Sequence, residues 1–256
     1  MMWMGGTMRI LGVAVTVALV ASPVVAYAQT VPVDPGPIGK GKPIIGTTQN
    51  LPSLDSSDPY DAGPGFAPQL RGIYENGTIR ALQKDVAKQA RQTIRAWQRQ
   101  HPKASKPAVI FDVDDTMLNN YEEYSTNDPA FSYDHAKDVQ FALECKATAN
   151  VPVRRLYRQL VADGFRIGII TGRPQDQRSA TRDCLRERGF QEWNTLITRT
   201  DATSSLSSAR FKAKARKSLQ DKGWTIVASV GDQISDMSYG RLKYGFLMPN
   251  SMYYLP

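Results

Sequence analysis

Five short, β-rich apolar runs separated by helical stretches predict an α/β fold in three layers, with a central parallel sheet covered by helices on both faces. The runs are Ala108-Val109-Ile110-Phe111, Ile167-Gly168-Ile169-Ile170, Thr195-Leu196-Ile197-Thr198, Ile226-Val227-Ala228-Ser229-Val230 and Phe246-Leu247-Met248. They are nearly continuous in apolar character, as expected of strands buried on both faces. Helical patterns fall between them at residues 151–163, 176–188 and 209–222. A further helix is predicted over 78–98, where Ile79, Leu82, Val86, Ala90, Ile94 and Trp97 recur at a spacing of three to four and build one apolar face suited to covering a sheet.

The segment before that helix reads differently. Met8-Arg9, an uncharged apolar run over 10–20 and the small-residue site Ala26-Tyr27-Ala28 have the form of an export signal over residues 1–28. Ser22 and Pro23 interrupt the apolar run and no basic cluster follows, so a stable membrane anchor is not expected. The mature chain is expected to begin near Gln29 and to work in the periplasm, the cell envelope or the medium. Residues 29–71 are dense in Pro, Gly, Ser and Thr and read as a tail without a core of its own. A single globular domain is expected over 72–256.

The composition, 41% hydrophobic and 22% charged, is that of an ordinary globular protein. A net charge of +8 favours acidic ligands, but the basic residues are scattered and form no long run, which argues against a nucleic-acid polymer as partner. The two cysteines, Cys145 and Cys184, could be bridged in an oxidising compartment or sit apart as small buried hydrophobes; the sequence leaves both open.

Residues 117–150 break the alternation of strand and helix. This polar and aromatic insertion, with Tyr121, Tyr124, Phe131, Tyr133 and Phe141, has the length of a lid or binding element. Its aromatics could face a substrate or form a small core. His135 within it has no neighbours at ligand spacing and is expected at the surface or in packing.

In open parallel sheets ligands bind beyond the carboxyl ends of the strands. Those positions hold Asp112-Val113-Asp114-Asp115-Thr116, Thr171-Gly172-Arg173 and Gly231-Asp232-Gln233-Ile234-Ser235-Asp236, with Phe211-Lys212-Ala213-Lys214 between the last two. Singly, each could be a cap, a turn or a solvated surface. Jointly, in one order and at strand ends, they supply a nucleophile, an acid or base, a set of oxygen ligands and groups that neutralise phosphoryl oxygens. Three carboxylates meeting across a sheet call for a cation between them, and oxygen ligands with room for water favour Mg²⁺ over Zn²⁺. Arg173 could clamp a phosphate or pair with a carboxylate.

On these motifs the chain resembles the haloacid dehalogenase superfamily, and most closely its acid phosphatase branch of subfamily IIIB, which includes plant vegetative storage proteins. The resemblance implies a Rossmann-like core with a small cap inserted after the first strand. It implies Asp112 as nucleophile, Asp114 as general acid/base, and Thr171, Gly172 and Lys212 at the phosphoryl group. The cation, Mg²⁺, would be held by Asp112, Asp114 through its backbone carbonyl and Asp232, while Asp236 would orient Lys212 or a metal-bound water. Lys214 stands near enough to compete with Lys212 for the third motif. The implied activity is hydrolysis of a small phosphomonoester through an aspartyl-phosphate; a storage protein on the same fold, or transfer to an alcohol acceptor, are the alternatives.

Overall fold

The computed structural model describes the backbone of residues 44–46 and residues 66–253. The expected export leader and most of the Pro/Gly-rich tail lie outside the described residues.

All five predicted runs form strands, within a few residues of the expected bounds: β2 (Pro107–Phe111), β5 (Arg166–Pro174), β6 (Thr195–Arg199), β7 (Thr225–Gly231) and β8 (Tyr244–Leu247). A sixth, β1 (Ile44–Gly46), adds to the edge beside β8. This strand lies in the segment expected to be a tail without a core of its own, and three residues are too few to display a period. The order is β1-β8-β7-β2-β5-β6, and every pair is parallel.

Alternation along β2 explains the layers. Val109 and Phe111 belong to the core on one face and Ala108 and Ile110 to the core on the other, as the period of two in a strand requires. On the first face lie α2 (Thr78–Gln100), α5 (Val151–Ala162) and α6 (Arg178–Glu187), contributing Ile94, Leu156 and Leu185 among others. The second face is closed by α8 (Ser208–Asp221), which follows the short α7 (Asp201–Ser204), through Phe211, Ala215 and Leu219. Of the four helices that cover the two faces, two start on side-chain caps: Asn150 accepts from Val153 N at the head of α5, and Ser207 accepts from Arg210 N at the head of α8.

The insertion folds as a compact unit. A short antiparallel pair, β3 (Leu118–Asn119) with β4 (Thr148–Ala149), closes its base, and α3 (Tyr121–Thr126) and α4 (His135–Leu143) fill it. Of its aromatics, Tyr124 and Phe131 are buried with Leu70 of α1 (Ala67–Glu75) and with Met252 and Tyr253, making a separate small core. Phe141 joins the main core, and Tyr121 stacks on Tyr74 with ring centroids 4.7 Å apart.

Cys145 and Cys184 are bridged, tying the end of the insertion to α6 across 39 residues of chain. A cross-link of this span restricts the unfolded chain, so replacing both cysteines by alanine is expected to lower the unfolding free energy by about 2–5 kcal/mol. Urea denaturation of the double variant measures this; an unchanged midpoint would mean that the bridge adds nothing to the fold.

Candidate active site

From β2 the chain runs to β5 and β6 on one side of the sheet and returns to β7 and β8 on the other. The carboxyl end of β2 is therefore the topological switch point, where the connecting loops diverge and leave a crevice. Asp112 stands there in extended conformation, its N–H donating to Val230 O at 3.0 Å. The turn that follows places Asp115 in the left-handed region, at φ 51°, which a short polar side chain tolerates. Asp115 holds that turn in place by accepting from Asn120 N (3.0 Å) and from Tyr253 OH (2.7 Å).

Lys212, in the first turns of α8, is buried and donates to Asp112 Oδ1 at 2.9 Å and to Asp236 Oδ1. Lys214 is exposed, as expected two residues away on a helix. Asp236 is held from several sides. Its Oδ2 accepts from Gln233 N (2.9 Å), and its main-chain carbonyl accepts from Ser229 Oγ (2.8 Å) and from Arg216 Nη1 (2.6 Å). The guanidinium of Arg216, wholly buried, also donates to the carbonyls of Ser238 and Gly240, and burial pulls its pKa down to about 10. Gly231 is required by space, because a Cβ there would lie 2.4 Å from that of Asp236.

Carboxylate oxygens of Asp112, Asp232 and Asp236 lie within 4.8 Å of one another, all buried. Asp232 is oriented by Gln233 Nε2 (2.6 Å), Asn250 Nδ2 (2.8 Å) and Thr116 Oγ1 (3.2 Å). Burial, then the neighbouring charges of Asp236 and Asp115, push the Asp232 pKa up to about 7. Burial likewise raises Asp112, with Lys212 pulling against it and Asp236 and Asp232 adding to it. The Lys212 ammonium loses from burial but gains more from Asp112 and Asp236, and is held protonated. Two of the three carboxylates thus share one ammonium. The remaining negative charge and the all-oxygen donor set fit a hard divalent cation.

The Asp114 side chain lines the same crevice but takes its hydrogen bonds from other residues. Arg173 grips it through Nε to Oδ2 (3.0 Å) and Nη2 to Oδ1 (2.6 Å), and Asn120 Nδ2 donates to Oδ1 (3.0 Å). Burial favours the neutral acid, but the charge and hydrogen bonds of Arg173 outweigh it and hold the pKa below the ordinary carboxylate value. Of the two roles open to Arg173, pairing with a carboxylate is the one seen here. Thr171 is buried, its Oγ1 accepting from Arg173 N at 3.2 Å, while Gly172 faces the crevice.

Asp112, Asp114, Gly172, Arg173, Lys212 and Asp232 line a cavity of about 430 Å³, while Thr171 and Asp236 are not part of its lining. Its opposite wall comes from the insertion: Asn120, Tyr133, His135 and Asp138. His135, expected at the surface or in packing, is exposed yet belongs to this wall, with Tyr133 OH 2.9 Å from its Nδ1. Asn120, Asn250 and Tyr253 were not anticipated as site residues. They lie outside the strand-end motifs, and the Tyr253–Asp115 bond joins positions 138 residues apart, so no local pattern could reveal it.

A buried carboxylate bonded to a lysine, and a cluster of carboxylates that could hold a cation, thus lie at the switch point of a capped α/β sheet, where the resemblance to the haloacid dehalogenases expects them. The chain matches the family model of the HAD superfamily, subfamily IIIB (acid phosphatase), over residues 73–256. It belongs to this family, and its enzyme class is that of a phosphomonoesterase. Acid phosphatase 1 of Solanum lycopersicum is 29% identical over 200 residues, which are 77% of this chain and 72% of that protein. Vegetative storage protein 2 of Arabidopsis thaliana is 30% identical over 57% of this chain and 56% of its own length. Among solved structures, the class C acid phosphatase of Bacillus anthracis with tungstate bound superposes with a TM-score of 0.62 at 18% identity, covering 75% of this chain and 87% of that one, a likeness of fold.

The two lysines of α8 offer a direct test of the geometry. Lys212→Ala is expected to lower kcat/KM at least about a hundredfold, the size typical of losing one preorganised charge-stabilising group, while Lys214→Ala stays within a few fold. Steady-state kinetics of both variants on one aryl phosphate decides; the reverse pattern would remove Lys212 from the reaction.

Proposed function

We propose that this chain is an exported, Mg²⁺-dependent acid phosphatase that hydrolyses small phosphomonoesters through an aspartyl-phosphate on Asp112. The observation that carries this reading is the Asp112 carboxylate on the cavity floor, tied to Lys212 at 2.9 Å, with Asp114 two residues further along the same turn.

In the first step an Asp112 carboxylate oxygen forms a bond to phosphorus as the phosphorus–oxygen ester bond breaks. Lys212, Thr171 and the backbone at Gly172 receive the phosphoryl oxygens, and Asp114 in its acid form hands a proton to the departing alkoxide. In the second step Asp114, now ionised, takes a proton from a water that attacks phosphorus, which releases phosphate and restores Asp112. The Arg173 pair suits Asp114 to this second role, and the donor form of the first step is reached by proton uptake. Asp112, the Asp114 backbone carbonyl and Asp232 would hold Mg²⁺, and Asp236 would keep Lys212 aimed. A bound cation supplies charge neutralisation at the phosphoryl group.

A cavity of about 430 Å³ suits a small ester, with the leaving group against the insertion wall. The Cys145–Cys184 bridge supports an oxidising compartment and so agrees with the export signal read in residues 1–28. A storage role, suggested by the names of two relatives, is less favoured because the proposed nucleophile, its lysine and the acid/base carboxylate are all present.

Asp112→Asn is expected to abolish release of phosphate from an aryl phosphate, since an amide neither attacks phosphorus nor holds a cation as a carboxylate does; a rate near that of the wild type would overturn the mechanism. Adding Mg²⁺ to the chelated protein should raise Tm as well as restore activity, because a ligand that binds only the folded chain stabilises it. A Tm indifferent to millimolar Mg²⁺ would count against the cation site.

A further inference from the structure

One buried acid beside the site has no place in the mechanism above. Asn120 is the N-cap of α3, and Glu123 is the third residue of that helix. A glutamate at this position ordinarily reaches back to the N-cap backbone N–H, but here that N–H is given to Asp115 Oδ1. Glu123 is 4% exposed, and among the described residues neither of its oxygens has a hydrogen-bond partner. Asn120 is buried as well. Its amide N–H group is committed to Asp114 Oδ1, which fixes the orientation of the side chain, and its Oδ1 is left without a donor. Side chains three apart at the start of a helix lie on one face, a single turn from each other. Two acceptor groups, buried and one turn apart, are thus both short of one proton.

We propose that Glu123 is carried as a neutral acid whose O–H donates to Asn120 Oδ1, so that the chain of hydrogen bonds from Glu123 through Asn120 holds the Asp114 carboxylate in its working position. Glu123 is then a positioning residue, and the inference rests on the acid/base role proposed for Asp114.

The surroundings favour the neutral form. An unpaired ionised carboxylate away from water is strongly disfavoured. Three carboxylates act on Glu123: Asp138 from α4, and Asp115 and Asp114 from the turn after β2. Arg173 of β5 opposes them, but it is already gripped by Asp114. Burial first, and these charges next, push its pKa up to about 9.

Glu123→Gln and Glu123→Ala separate this role from the alternatives, because glutamine retains an N–H donor without a removable proton and alanine retains nothing. With an aryl phosphate as probe, Glu123→Ala is expected to lose at least about tenfold in kcat with KM within about twofold, and Glu123→Gln to stay within about threefold of wild type. A Gln variant as impaired as the Ala variant would overturn the proposal, since the carboxylate charge would then be what matters. An Ala variant with unchanged kcat would overturn it too.

Stability gives a second readout that needs no activity. A carboxyl whose folded pKa lies above its ordinary 4.5 stabilises the fold fully below that value and loses the contribution as pH rises toward about 9. The wild-type Tm should therefore fall relative to that of Glu123→Gln across this interval. Parallel curves would overturn the protonation state. If wild type shows no turnover of any phosphomonoester, the proposed function fails, while the comparison of Tm against pH still tests Glu123.

Discussion

The site depends on a single buried ammonium among three carboxylates. Lys212 bonds to both Asp112 and Asp236, and Asp232 lies within the same group. Removing charges from water is costly, and an incomplete set of partners leaves part of that cost unmet. The surrounding structure serves this arrangement. Gly231 leaves space for Asp236, Gln233 N and Ser229 hold it, and the buried Arg216 pins the carbonyls of the loop that carries it. These contacts all sit where β7 ends and α8 begins to cover the sheet, so the packing of the second layer and the aim of the lysine are one structural problem.

A second constraint is the separation of Asp112 from Asp114. Neighbouring carboxylates take different pKa values when their environments differ. Asp112 faces Lys212 and the other carboxylates, whereas Asp114 is turned toward Arg173 and Asn120. The turn between β2 and β3 accomplishes this through the left-handed residue Asp115, itself held by Tyr253 from the far end of the chain. The insertion is anchored in turn by the disulfide to α6 and by the small aromatic core it shares with α1 and Met252. A wall built on such supports presents Tyr133, His135 and Asp138 to the cavity that Asp112 also lines.

Much of this was legible from residue order. Parallel strands buried on both faces must be nearly continuous in apolar residues, and helices that cover them must carry one apolar face, so β2, β5, β6, β7, β8 and the helices between them could be placed within a few residues. Ligands gather at the carboxyl ends of such strands for reasons of topology, which made Asp112, Asp114, Thr171, Lys212, Asp232 and Asp236 visible as a set. The edge strand Ile44–Gly46 was not visible, because its stability lies in pairing with β8 rather than in its own three residues.

Tertiary structure alone decided what depends on distance across the fold. It bridged Cys145 to Cys184, separated buried Lys212 from exposed Lys214, committed Arg173 to Asp114, and brought Asn250 and Tyr253 to the site from the end of the chain. It also divided the aromatics of the insertion between a core and the cavity wall, and left Glu123 buried beside Asn120. Sequence periodicity reports which face of an element is buried, and so determined the layers and the strand ends where chemistry could occur. Partner choice is set by how separate elements pack, a relation between residues distant in the chain that no local spacing records.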